Sequence, residues 1–312
     1  MIARTLVALL VAACAGHAAA QDRAITMPPP GRTRLSARWD TVFHTGTDTF
    51  ASLPLPGTLA SPRFTSWSNV LSIEVDLGDA LFRTVVPMTY EMISEGGPLF
   101  GPASQAELGN VQLEGYANIG VGARAHRLLL GGGVALPTAT DQGSGNWVRL
   151  LAWETSFRGA PLWAEQALSV SPSIDYRFAI PWLWIGATGT ASVFFPIAAN
   201  GGPQVLARGR VELMLALDAA IALRVLDMVD VGVSFLAWAL PTGVGADSLD
   251  PLRFVDLGQT ALTLSVRSDR LLDAPVFGGV EMIFDLDHEW GPTGAPGKLW
   301  GLHAFFGGRL DV

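Results

Sequence analysis

From Thr33 to the C-terminus the chain alternates apolar and polar residues at every second position, the period of a β-strand with one greasy and one wet face. Trp67, Leu71, Ile73, Val75 and Leu77 share one face of their segment, and Ser66, Ser68, Ser72, Glu74 and Asp76 share the other. Val205, Ala207, Val211, Leu213 and Leu215 alternate with Arg208, Arg210 and Glu212, as Leu262, Leu264 and Val266 do with Thr263, Ser265 and Arg267. In the last segment Leu302, Ala304, Phe306, Leu310 and Val312 face outward, and His303, Phe305, Arg309 and Asp311 inward. The segments run to about ten residues, the length of a tilted membrane strand.

One stretch invites a helical reading. From Phe178 to Ala207 there is no charged residue, and Leu183 to Phe195 is strongly apolar. It nevertheless contains Pro181, Gly186, Gly189 and Pro196, with Thr188, Thr190 and Ser192 at every second position. That is period two. In lipid every backbone N–H and C=O must pair within the protein, so a span is either a helix or a closed barrel, and alternation selects the barrel.

Loop lengths supply a strand count. Breaks near 78–79, 119–126, 180–181, 226–228 and 270–274 are short, whereas those near 44–63, 94–107, 137–146, 197–204, 241–253 and 287–299 are longer and rich in Gly, Pro, Ser or Asn. Short periplasmic turns alternating with long outer loops are the barrel pattern, and an even strand number returns both ends to the periplasm. Reading 147–178 as one long strand predicts twelve strands; reading it as three gives the alternative of fourteen. Aromatic girdles are expected at Phe43, Phe64, Trp147 and Phe254 on the outer side, and at Trp163, Tyr176, Phe178 and Trp182 on the periplasmic side. A soluble β-sandwich would also alternate.

Composition favours the membrane. Only 15% of the residues are charged and mean hydropathy is +0.35, against about 25% charged in soluble chains. Arg4, the apolar run Thr5 to Ala13 and the small residues Ala18-Ala19-Ala20 read as a secretory signal. The predicted organisation is a signal peptide over 1–20, a periplasmic arm over 21–32 containing Met27-Pro28-Pro29-Pro30, and an outer-membrane barrel over 33–312. Val11-Ala12-Ala13-Cys14 offers lipoprotein processing as the competing reading. Cys14 is the sole cysteine, so a chain cut after Ala20 has no disulfide, thiol nucleophile or cysteine metal site. A net charge of −8 argues against nucleic acid partners.

No constellation demands catalysis, and no cofactor or metal is expected. His44, His126, His288 and His303 stand in no spaced metal-ligand motif. Asp287-His288-Glu289 reads as a solvated loop, since adjacent strand residues would point to opposite faces. Barrel hydrolases of this compartment use a Ser with a nearby His; His303 faces inward, but no serine lies two residues away along the strand. The informative set is inward and charged. The candidate lumen-lining residues are Glu74, Asp76, Arg83, Glu114, Arg149, Asp175, Arg177, Arg208, Arg210, Glu212, Arg267, Glu281, Asp285, His303 and Arg309. Such residues either form rings that select solutes or pair with one another to fill a closed barrel.

Residues 108–116 read Leu-Gly-Asn-Val-Gln-Leu-Glu-Gly-Tyr, and Arg127 to Thr138 reads Arg-Leu-Leu-Leu-Gly-Gly-Gly-Val-Ala-Leu-Pro-Thr. This resembles the outer-membrane barrel family associated with phenol-degradation pathways, in which a Gly-Asp-Leu-x-Leu-Gly strand precedes a glycine-rich strand ending Leu-Pro-Thr-Gly. Val85 to Glu91 resembles the strand before it, and Leu240-Pro241-Thr242-Gly243 echoes the same ending. Asn110 stands at the acidic position and Ala139 at the last glycine. The resemblance implies kinship with channels for hydrophobic compounds.

The sequence therefore predicts an all-β protein, a transmembrane antiparallel β-barrel of the bacterial outer membrane. Its partners would be outer-membrane lipids and a small solute, hydrophobic or weakly polar, passing without catalysis. The alternatives are a filled structural or surface-interaction barrel and a lipid hydrolase. Oligomeric state is not legible.

Overall fold

The computed structural model describes residues 33–47, 63–95, 103–119, 125–139, 160–164, 166–198, 211–226, 229–239, 258–268, 276–289 and 298–312. Almost all of these are strand. In chain order the elements are β1 (Arg34–Thr47), β2 (Arg63–Asp76), β3 (Ala80–Glu95), β4 (Ala103–Leu108), β5 (Gln112–Ile119), β6 (His126–Ala135), α1 (Ala160–Trp163), β7 (Ala167–Ile180), β8 (Leu183–Pro196), β9 (Glu212–Leu226), β10 (Val229–Ala239), β11 (Gly258–Ser268), β12 (Val276–Glu289) and β13 (Lys298–Asp311). Strands adjacent in sequence pair antiparallel, except that β4 and β5 both lie along β3 and not against each other, and β13 returns to β1 in register from Arg34↔Asp311 to Thr47↔Lys298. The result is a closed antiparallel barrel of 12 strand positions. Closure removes the edges that an open sheet would leave unpaired.

Thirteen strand segments occupy twelve positions because β4 and β5 run end to end along β3. Met88 pairs with Leu108 and Val85 with Gln112, so three steps on β3 face four on the opposing chain. The extra residue is a bulge at Gly109-Asn110-Val111. Its chemical cause is Pro87: the proline carbonyl accepts from Gly109 N at 3.0 Å, but proline has no N–H to return to the Gly109 carbonyl. The Thr138 hydroxyl donates to that carbonyl instead, at 3.1 Å. β4 was read from sequence as part of the long 94–107 loop; the structure makes its second half a strand.

The two faces sort as the alternation predicts. Trp67, Ile73, Leu264, Val266, Leu302, Phe306 and Leu310 are exposed, whereas Ser66, Ser68, Asp76, Thr263, Ser265, Arg267, His303 and Phe305 are buried. Leu183 to Pro196 is strand β8, and no helix among the described residues is long and apolar enough to cross a membrane. The shortest turns lie at the end where the described barrel begins and closes, here called the terminal end, where Thr33 and Val312 exchange backbone hydrogen bonds. Gly78 closes the β2–β3 turn with φ +85°, a backbone conformation that glycine adopts without steric cost, and its N–H is held by Asp76 Oδ1 at 2.9 Å.

The region 147–178 holds a single strand among the described residues, so the twelve-strand reading stands, but its detail is corrected. The strand begins only at Ala167 and is preceded by α1. Trp163, expected in the periplasmic girdle, is instead buried in α1, before the end of β7 that lies opposite the terminal end, the distal end. Asp287-His288-Glu289, expected in a loop, belongs to β12, where it pairs with Thr260, Gln259 and Gly258. Tyr176 and Phe178 lie near the terminal end beside His126, and Trp182 is exposed in the turn after β7. Phe43 packs near Trp300 at the distal end with ring centroids 6.3 Å apart. The side chain of Phe64, and Trp147 and Phe254 altogether, lie outside the described residues, as do residues 1–32, where the signal peptide and arm are expected.

Candidate functional site

The inner face of the terminal half is a set of ion pairs, most of them between strands. Arg83 grips Glu114 through two hydrogen bonds, of 2.9 and 2.6 Å, and Gln112 and Tyr116 also donate to that carboxylate. Arg177 pairs with Asp175 two residues earlier on β7, Arg224 with Asp230 across β9 and β10 at 2.9 Å, and Arg34 with Asp311 across the β1–β13 seam at 2.6 Å. Arg127 on β6 reaches past β5 and β3 to Asp76 on β2, with bonds of 2.9 and 3.0 Å. Leu81, Tyr116 and Leu129 form a buried cluster on those same strands, so this sector of wall is a filled corner.

A second network follows β1, β13, β12 and β11. His303 Nε2 lies 2.7 Å from Asp40 Oδ1, and its Nδ1 lies 3.0 Å from Glu281 Oε2. Arg38 pairs with Asp40 and Arg267 with Glu281. The Phe305 ring sits under both guanidinium groups, 4.4 and 5.4 Å from its centroid, a cation–π arrangement. Both His303 ring nitrogens are thereby committed to carboxylates. Neither is left to activate a serine in this arrangement.

Hydroxyls continue the inner surface: Ser68 with Thr89 at 3.0 Å, Ser171 with Ser192 at 2.8 Å, Ser234 with Thr263, and Ser173 donating to Tyr116 at 3.3 Å. Toward the distal end the buried inward residues of β8, β9, β10 and β12 turn apolar, with Phe194, Met214, Leu236, Trp238 and Ile283.

A piece of chain is folded against the inside of the wall at the β4–β5 bulge. On β3, Val85, Pro87 and Thr89 are buried and inward while Phe82, Met88 and Tyr90 are exposed. A methyl group added to Gly109 would overlap the Leu162 carbonyl and approach Pro87 Cγ and the Trp163 ring to 2.8 Å. Gly109 thus lets α1 lie against the wall beside Pro87. Asn110, fully buried, clamps it: Nδ2 donates to Pro161 O at 3.1 Å and Ala164 O at 2.6 Å, and Oδ1 accepts from Ala139 N at 3.0 Å. Asn110 N donates to Leu162 O, and Thr138 Oγ1 accepts from Val111 N at 2.8 Å. The two motif segments noted in the sequence meet here, where Thr138 binds Gly109 and Val111.

Of the candidate lumen residues, Asp76, Glu114, Asp175, Arg177, Glu212, Arg267, Glu281 and His303 are buried on the inner face, and Arg83, Glu74 and Arg309 partly so. Arg309 lies 5.2 Å from the Phe277 ring centroid. Arg149, Arg208 and Arg210 lie outside the described residues, as does the side chain of Asp285 within β12. Sequence reasoning missed Arg34, Arg38, Asp40, Asn110, Arg127, Asp218, Arg224 and Asp230. Most of these follow the same parity and were legible in principle; Asn110, in a bulge, was not.

Comparison with solved structures bears on this geometry. The crystal structure of an outer membrane channel from Pseudomonas putida F1 aligns with a TM-score of 0.61 over 92% of this chain and 98% of that one, at 11% identity. The barrel is of the outer-membrane type. At lower similarity stand the NanC porin, with a TM-score of 0.48, 8% identity and coverage of 88% and 98%, and the β domain of the Bordetella autotransporter BrkA, with 0.45, 12%, and 89% and 100%. No protein-family model and no curated protein matches the sequence. At these identities the likeness concerns the fold, and the link to phenol-degradation pathways rests on the sequence motifs.

Proposed function

We propose that this protein is a passive channel of the bacterial outer membrane, exported by its N-terminal signal, for small hydrophobic or weakly polar solutes. The observation that carries the reading is the graded interior: charges matched strand to strand at the terminal end, and aromatic and aliphatic side chains at the distal end beside a clamped inward segment. Matched charges give a narrow path with no strong preference of sign, and an apolar entrance partitions weakly polar solutes from water. The motif resemblance points to aromatic compounds such as phenol as first test solutes. The channel reading assigns no catalytic role to any residue.

Reconstitution in liposomes tests it. Entry of phenol and of small neutral solutes should exceed that of protein-free liposomes and fall off steeply with solute size. Absence of flux for every solute would favour the second reading, a filled scaffold whose function lies in its outer loops. The density of buried, paired charges on the inner face favours that alternative.

A further inference from the structure

Among the described residues most inward charges are paired, and an exception stands at the distal end. Glu212, the first residue of β9, is 4% exposed, and its Oε2 has no hydrogen-bond partner among the described residues. In register beside it on β8 is Phe194, which is fully buried, and beside Phe194 on β7 is Ser169, also fully buried, whose Oγ is likewise unpartnered among the described residues. Directly opposed strand residues hold their Cβ atoms about 4.5–5.5 Å apart. The three side chains therefore form one row across the inner wall: hydroxyl, ring, carboxylate. One step toward the terminal end on β9 lies Met214, buried, and Trp238 on β10 is buried opposite Ala216.

We propose that Ser169, Phe194 and Glu212 form a binding site for an organic ammonium ion, an amine carrying a small apolar body, at the distal mouth of the lumen. A buried carboxylate with no partner for Oε2 among the described residues is costly, and a ligand bringing both positive charge and N–H donors offsets that cost. The row selects among cations. Hard metal ions call for six or more oxygen ligands, whereas here one carboxylate and one hydroxyl flank an aromatic ring. A ring beside a carboxylate suits an alkylammonium, whose charge is shared between the oxygen and the π face. Ser169 offers an acceptor for a second N–H, and Met214 and Trp238 offer apolar surface to the body of the ligand. Anions are repelled by Glu212. The site rests on the channel reading only in that solute must reach the mouth of the barrel; binding itself requires no passage.

The test uses the full chain in detergent micelles, with equilibrium dialysis of three probes of one shape: 2-phenylethylammonium, 2-phenylethanol and phenylacetate. The wild-type protein should bind the ammonium about tenfold or more tightly than the alcohol, the factor expected of a hydrogen-bonded charge pair, and phenylacetate most weakly. Glu212→Gln, nearly isosteric, should erase the preference by weakening ammonium binding, with the heat-dependent gel shift of the folded barrel retained. Ser169→Ala should reduce it severalfold. Equal binding of ammonium and alcohol by the wild type, or a preference that survives in Glu212→Gln, overturns the site. Flux of neutral solutes without any ammonium preference would leave the channel standing and remove the site; ammonium preference without flux would do the reverse.

Discussion

At the scale of single residues, the interior couples polar groups so closely that removing one strands another. Arg127 is the sharpest case, because its guanidinium spans two strands to Asp76, and both side chains are buried. Arg127→Met should cost about 3–5 kcal/mol by leaving a buried carboxylate unpaired, and adding Asp76→Leu should recover much of it; urea unfolding followed by tryptophan fluorescence measures both. Asn110 couples in a different way. Its amide holds α1 by two carbonyls and the 139 backbone by one N–H. Asn110→Ala should weaken that clamp by about 1–3 kcal/mol and raise single-channel conductance in planar bilayers, while the barrel still forms. An unchanged conductance would mean that α1 does not narrow the path.

At the scale of elements, the bulge between β4 and β5 is the feature that makes a site out of a wall. Pro87 withholds one ladder donor, Thr138 supplies a substitute, and the extra residue turns Asn110 onto the inward segment. Gly109 is required there because a side chain would occupy the space of the Leu162 carbonyl and the Trp163 ring. Gly109→Val should displace α1 from the wall and increase flux of small neutral solutes in liposomes, with the gel shift of the closed barrel retained. The motif letters of this region were visible in the sequence, but Asn110 looked there like a mere departure from an acidic consensus. Its role needs residues 161, 164 and 139 brought to it, and those are 29 to 54 positions away in the chain.

At the scale of the molecule, the exposed apolar exterior and the closed ladder of backbone hydrogen bonds predict behaviour that no soluble sandwich shares. Unboiled protein should migrate differently from boiled protein in SDS gels, because a closed lipid-adapted barrel resists the detergent until heated; identical migration would count against the membrane reading. Leu264, half exposed on the outer face of β11, tests the same point by depth. Leu264→Arg should cost about 2–4 kcal/mol if that position lies near the bilayer midplane, read from the urea midpoint in vesicles. In a water-exposed sandwich the same change would be nearly neutral.

Alternation along the chain was enough to determine the strand class and the sorting of faces, because a two-residue period survives whatever the strands pair with; the count of twelve came from loop lengths and from the rule that a single-chain barrel has an even number of strands. Alternation could not determine which charge meets which, since Arg127–Asp76 and His303–Asp40 join residues far apart in the chain. Nor could it show that a helix of four residues lies inside the wall, or that Ser169, Phe194 and Glu212 stand in one row. Register and closure decide those matters: they are set by how complete strands align around the barrel, and no local stretch of chain contains that information.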